Sequence, residues 1–258
     1  MKTIDLSDDV VVVSGGAGDI GRAIALELAV AGARVVVADR DIAAAEEVVK
    51  AIQAEGGRGT ALSADVRSTS SVEEAIESAY KQFGSLTGLV NAAGVLRTGE
   101  LAAMTDEAWD EIFDVNVSGT FRTTRAVSPY FRAAGRGSIV NLSSVSAFIG
   151  SADGAAYTST KGAVLSFTIG TAGELAPYGI RVNAVCPGWV DGGFTHQAME
   201  GSENPEALEA LAVSLHPLGR MAKTTDVANA VAWLMSPLAS FITGTALFVD
   251  GGFMIQHH

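Results

Sequence analysis

Short runs of β-branched residues alternate along this chain with longer segments whose apolar positions recur every three or four residues. Residues 10–13, four consecutive valines, predict a strand buried on both faces, and 21–31 predict a helix with Ile24, Leu28 and Ala31 on one side. The alternation continues with a strand at 34–38, a helix at 42–54, a strand near 60–62, a helix at 71–83 and a strand at 86–91. One long helix is expected over 106–134, with Thr105 as its N-cap. A strand at 138–142, a helix at 155–176 and a strand at 181–185 follow, with Pro177 and Gly179 supplying the stop and turn between the last two. Residues 188–217 break the rhythm. They are polar, Gly-rich and contain Asn204-Pro205, so they read as a long lid-like loop. A helix at 225–235 and a strand at 246–249 complete the pattern.

Strands apolar on both faces and interleaved with helices call for a parallel sheet covered on both sides. Right-handed crossovers make it a doubly wound α/β sheet. No linker, low-complexity run or fixed-period repeat divides residues 1–258, so a single domain is expected.

Composition narrows the function classes. Seventeen basic against 29 acidic residues give a formal charge of −12, which argues against a nucleic-acid partner and against a basic membrane-surface anchor. Apolar runs are all too short for a membrane-spanning helix, and Met1 to Asp9 carries three Asp and no signal-like apolar run. The single cysteine, Cys186, precedes Pro187 in an apolar run and reads as buried filler in a reducing, cytoplasmic setting. The final His257-His258 carries no functional weight.

The glycines point to chemistry. Ser14-Gly15-Gly16-Ala17-Gly18-Asp19-Ile20-Gly21 lies between the first strand and the first helix, where a helix N-terminus offers free N–H groups to a dinucleotide diphosphate. Gly15, Gly18, Asp19, Ile20 and Gly21 are the expected cradle. The second strand ends in Asp39, eighteen positions after Gly21, where a carboxylate can accept from both ribose hydroxyls of NAD and would repel the 2′-phosphate of NADP. Arg40 beside it keeps NADP as the alternative. Asp41 fits better as the cap of the second helix.

Tyr157 and Lys161 are four apart on a predicted helix and therefore share a face. An ammonium near a phenol favours phenolate, as does an oxidised nicotinamide, so Tyr157 is a candidate general acid/base. Ser144, just past the end of a strand, is placed to hold the substrate oxygen beside it.

Taken together, these motifs resemble the short-chain dehydrogenase/reductase family, in its compact type of about 250 residues. The resemblance runs over almost the whole chain: the glycine turn, Asp65-Val66, Asn91-Ala92-Ala93-Gly94, Asn116-Val117, Ser144, Tyr157 with Lys161, Pro187-Gly188 and Asp250-Gly251-Gly252. It implies a Rossmann-like, seven-stranded parallel sheet in one domain, with Tyr157 moving the proton and Ser144 orienting the substrate oxygen. Lys161 would lower the tyrosine pKa and hold the nicotinamide ribose, and Asn116 would anchor a water linking Lys161 to solvent. Asp65 would meet the adenine amine and Val66 its ring. Asn91, Ala92, Ala93 and Gly94 would pass beside the adenosine ribose, and Pro187, Gly188 and Val190 beside the nicotinamide. A homotetramer built on the two long helices and the C-terminal segment is implied as well.

Two positions depart from the family pattern. Asp19 stands where the turn Gly-x-x-x-Gly-x-Gly has its middle glycine, and is expected to face outward and cap the helix or pair with Arg22. Gly15, Gly18 and Gly21 also resemble the turn of the longer epimerase-like branch, which needs a larger C-terminal domain than this length allows. Gly192 stands where a nicotinamide-contacting Thr is usual, so Thr195 or the backbone must replace it. For the substrate, Ser144, Ser146, Phe148, Ile149, Trp189, Phe194 and Met199 are the expected pocket. His196 and His216 read as polar loop residues without metal-binding company. The expected reaction is hydride transfer between NAD(H) and a secondary alcohol or ketone. An NADPH-dependent reductase of 3-oxoacyl thioesters is the rival, and a catalytically silent dinucleotide-binding scaffold or sensor is the alternative of another class.

Overall fold

The computed structural model describes residues 4–255; His257-His258 lie outside them. The valine run forms β1 (Val10–Ser14), and its alternate side chains enter different layers. Val11 and Val13 pack on one face of the sheet with Ile24, Leu28, Val48, Val227 and Val231, while Val10 and Val12 pack on the other with Ile76, Val127, Phe131 and Leu175. A strand buried this way must have helices on both sides.

Those helices arrive in chain order: α1 (Asp19–Val30), β2 (Arg34–Asp39), α2 (Ile42–Ala54), β3 (Arg58–Ser63), α3 (Thr69–Phe83), β4 (Gly88–Asn91), α4 (Asp106–Phe113), α5 (Gly119–Ala134), β5 (Gly137–Leu142), α6 (Ala155–Leu175), β6 (Ile180–Pro187), β7 (Val190–Asp191), α7 (Gly193–Glu200), α8 (Pro205–Ser214), β8 (Ala222–Lys223), α9 (Thr224–Met235) and β9 (Ala246–Val249). Seven strands form one parallel sheet in the order β3-β2-β1-β4-β5-β6-β9, as the doubly wound expectation requires. The order reverses direction between β1 and β4, and ligands of such sheets bind beyond the strand ends at that point. Beneath it, Ser14, Asn91 and Asn141 stand in register on three adjacent strands. Their side chains join Thr123, Thr124 and Thr168 in a buried hydrogen-bonded row.

Two expectations need correction. The long helix is interrupted by a π-helical turn at Asp114–Ser118, and α5 begins only after it. The wider turn adds a residue to the helix there, and Asn116 lies at its centre. The supposed loop at 188–217 contains β7, α7 and α8, and β7 pairs in parallel with β8 just beyond it. Asn204-Pro205, read as a loop marker, is a helix start: the Asn204 side chain accepts the Ala207 N–H at 3.1 Å, and Pro205 occupies the first turn.

Candidate active site

A cavity of about 880 Å³ runs across the strand ends from Asp39 and Arg40, past the glycine turn, to Ser144, Tyr157 and Lys161. At the turn, Gly15 has φ +68°, and a Cβ there would lie 2.4 Å from the Ala93 Cα. A Cβ on Gly21 would lie 2.1 Å from the Gly15 carbonyl oxygen. Only glycine lets β1, α1 and the Ala92-Ala93 backbone meet so closely, and that contact brings the first N–H groups of α1 to the cavity. Gly15, Gly18, Asp19, Ile20 and Gly21 all line it, as do Ala92, Ala93 and Gly94. Asn91 does not: it lies in the buried row below and supports the loop rather than facing the cavity.

Asp39 sits at the far end. Its Oδ2 accepts the Ala17 N–H at 3.0 Å and its Oδ1 the Asp41 N–H at 3.1 Å, which fixes the carboxylate against the glycine turn. Each oxygen keeps a lone pair for a further donor. Asp41 is the cap of α2, accepting from Ala44. Asp65 and Val66 line the same end. The Arg67 guanidinium, paired with Asp65 at 2.7 Å, holds that carboxyl below its ordinary range. Arg40, Ser63, Asp65 and Arg67 also border an open recess beside Asp39.

The other end is built by β5 and α6. Ser144 is buried just after β5, and its Oγ accepts the Ser146 N–H at 3.1 Å, which leaves the hydroxyl proton free to point elsewhere. It reaches Tyr157: burial pushes the phenol up to about 12, and the hydrogen bond from Ser144 pulls it the other way. Lys161, one turn along α6, is 5% exposed. Its Nζ donates to the Leu142 carbonyl at 2.8 Å and lies 5.5 Å from the Tyr157 ring centroid. Burial pushes this amine down to about 8. Within the chain itself, then, Ser144 rather than Lys161 opposes the upward shift of Tyr157.

The π turn sets Asn116 against the loop after β4. Its amide accepts the Val95 N–H at 2.8 Å, donates to the Val95 carbonyl at 3.0 Å, and donates to Thr160 on α6 at 3.2 Å. Asn116 thus clamps the cavity wall to the helix that carries Tyr157. Cys186 is buried below Lys161, and burial raises its thiol to about 11, so it is unreactive.

Pro187, Gly188, Trp189, Val190 and Thr195 line the same cavity. His216 is no surface loop residue. It is 2% exposed, its Nδ1 donates to the Ala212 carbonyl at 2.6 Å, and its Nε2 accepts the Trp189 N–H at 3.2 Å. It pins the end of α8 to the Pro187-Gly188 turn. His196 is exposed and pairs with Asp191 at 2.8 Å. Phe194 roofs the site, with its ring edge-on to Tyr157 at 6.2 Å and 89°. Ser146 also lines the cavity. Phe148 does not: it follows the 3₁₀ turn after Ser144, is 44% exposed and packs on Phe248 of β9 at 4.9 Å. Ile149 and Met199 are also off the wall, and Val95, Leu96, Thr98, Ala152, Leu208 and Leu211 take their place. Those residues come from loops and from α8, which the sequence pattern left without a face.

Asp19 also departs from expectation. Its Oδ2 accepts the Gly193 N–H at 2.6 Å, at the start of α7, instead of pairing with Arg22.

Comparison with known proteins gives the class. A family model described as Enoyl-(Acyl carrier protein) reductase matches residues 15–254, and the chain belongs to the short-chain dehydrogenase/reductase family of oxidoreductases, which work with nicotinamide dinucleotides. Among individual proteins, it is 38% identical over 247 residues to 2-(S)-hydroxypropyl-CoM dehydrogenase 3 of Xanthobacter autotrophicus, covering 96% of this chain and 97% of that one. It is 38% identical over 248 residues to the cyclopentanol dehydrogenase of a Comamonas species, covering 96% and 98%. The crystal structure of gox2181 superposes with a TM-score of 0.93 at 35% identity, covering 98% of each chain.

Proposed function

We propose that the protein transfers a hydride between NAD(H) and the carbinol carbon of a secondary alcohol or ketone, with Tyr157 as general acid/base. The observation that carries this is the convergence of Ser144, Tyr157 and Lys161 at one end of a cavity whose other end is closed by Asp39. The two ends suit the two ends of a dinucleotide. The glycine turn and the open α1 N-terminus between them suit its diphosphate.

The nicotinamide supplies the hydride chemistry when bound. The chain's residues supply the rest. In reduction, the protonated Tyr157 hydroxyl donates to the oxygen as it becomes alkoxide, and Ser144 holds that oxygen in place. In oxidation, Tyr157 accepts the alcohol proton; the Ser144 hydrogen bond favours the phenolate, and the Lys161 ammonium adds positive charge one turn away. Phe194 stands edge-on over Tyr157, and Leu208 and Leu211 add apolar surface to the same cavity. No lysine or arginine occurs between Gly188 and Leu218, so the lid presents no cationic partner for an anionic substrate. This favours neutral alcohols over acyl thioesters carried on a charged group.

NAD is preferred because the fixed Asp39 carboxylate suits ribose hydroxyls and repels a 2′-phosphate. The NADPH-dependent alternative rests on Arg40 and Arg67 at the neighbouring recess. Side-by-side kcat/KM for NADH and NADPH separates the two, and a preference for NADPH would overturn the assignment. A homotetramer is supported by exposed Phe121 on α5, Ile169 on α6 and Phe241 and Ile255 near the C-terminus. Gly162, Gly170 and Gly173 of α6 add to this, since each faces open space in which a second helix would fit.

A further inference from the structure

We propose that Asp19 is a positioning residue: from the dinucleotide turn it acts as the missing N-terminal cap of lid helix α7, and so seats Phe194 over Tyr157. The helix has no cap of its own. Its N-cap residue is Gly192, and no side chain nearby in sequence receives its first N–H groups. The Gly193 N–H instead donates to Asp19, 174 residues earlier in the chain, at 2.6 Å. That length is typical of a strong bond to a charged acceptor. Asp19 is itself the first residue of α1, so one carboxylate lies between two helix N-termini, where both dipoles favour a negative charge.

The backbone around it is built for this approach. Gly192 has φ +147° and Gly193 φ +42°, and a Cβ on Gly192 would stand 3.2 Å from the Asp19 Oδ2 and 3.5 Å from Thr224 Cγ2. Any other residue there would push the lid away from the carboxylate. Phe194 follows directly, with its ring edge-on to Tyr157, and the next residue, Thr195, is buried against the cavity. Lid seating therefore passes from Asp19 through the Gly193 N–H to the roof of the catalytic tyrosine. The same carboxylate borders the diphosphate cradle, so its charge weakens dinucleotide binding while its hydrogen bond holds the lid. These opposed effects make the role separable.

The kinetic consequence rests on the dehydrogenase reading above, whereas the structural one does not. The test compares Asp19→Ala, which removes acceptor and charge, with Asp19→Asn, which removes only the charge. Hydrogen exchange is measured on the chain alone. In Asp19→Ala, amides of 193–200 are expected to exchange about ten-fold faster, the scale of a lost cap, with the sheet amides unchanged. Asp19→Asn is expected to restore most of that protection. In turnover assays, Asp19→Ala is expected to raise the substrate KM about ten-fold with a smaller change in kcat. Asp19→Asn is expected to lower this penalty, and both variants are expected to bind NADH at least as tightly as the wild type. Wild-type exchange at 193–200 in Asp19→Ala would overturn the role of Asp19. Absence of turnover in the wild-type protein would instead overturn the dehydrogenase reading, leaving the exchange comparison to decide the cap.

Discussion

Burial acts on Tyr157 and Lys161 with opposite sign, because it disfavours a phenolate and an ammonium alike: the phenol is pushed up to about 12 and the amine down to about 8. Reduction of a ketone needs the protonated phenol, which is present throughout the neutral range. Oxidation needs the phenolate, which becomes accessible only as pH rises. The kcat/KM for alcohol oxidation is therefore expected to climb from neutral into alkaline pH, while that for ketone reduction holds and then falls. A pH–rate profile in both directions checks this, and an oxidation rate that falls with pH across that range would contradict it. Lys161 loses its charge above about 8, so the climb should flatten beyond that point. Glycines are equally exacting at this scale. Gly15→Ala places a methyl group 2.4 Å from the Ala93 Cα at a positive φ, and is expected to cost about 1–3 kcal/mol in urea denaturation, with loss of dinucleotide binding.

At the scale of elements, the parts that alternate cleanly were legible from sequence. The strand at 246–249 and the helix at 42–54 are found at the expected residues, because hydrophobic period and buried face coincide there. The turn chemistry was legible too, since Gly15 and Gly21 have backbone reasons to be glycine. What pattern could not reveal is where tertiary contact sets the geometry. The π turn at Asn116 leaves the apolar spacing nearly intact, yet it determines which wall Asn116 grips. The lid helices are short, and one is capped from the other end of the chain, so their own residues carried little signal. Phe148, expected in the pocket, follows a 3₁₀ turn that no apolar period announces and packs on Phe248 instead. The role of Asn116 is testable: Asn116→Ala removes the bonds to the Val95 N–H and carbonyl and to Thr160. The expected cost is about 2 kcal/mol of stability, from thermal or urea unfolding, with reduced kcat. Unchanged stability would show that Val95 does not depend on it.

For the whole molecule the formal charge is −12, while the site itself holds one buried lysine, Lys161. Among the described residues no helix is long and apolar enough to cross a membrane, and no group of three His, Cys, Asp or Glu side chains forms a metal site. The exposed apolar groups on α5, α6 and the C-terminal segment are where a tetramer would be held. Ile169→Glu buries a charge in that contact and is expected to shift the mass measured by light scattering from tetramer to a smaller species. A wild-type mass equal to one chain would contradict the tetramer itself.

The central claim is that this site performs Tyr157-dependent hydride transfer, and its most direct test is NADH formation from NAD across a panel of neutral secondary alcohols, cyclic ones included, with wild type and Tyr157→Phe side by side. The wild-type protein is expected to turn over at least one of them. Tyr157→Phe is expected to lose about 10²–10⁴-fold in kcat while still binding NADH. Near-normal turnover by Tyr157→Phe would contradict the account.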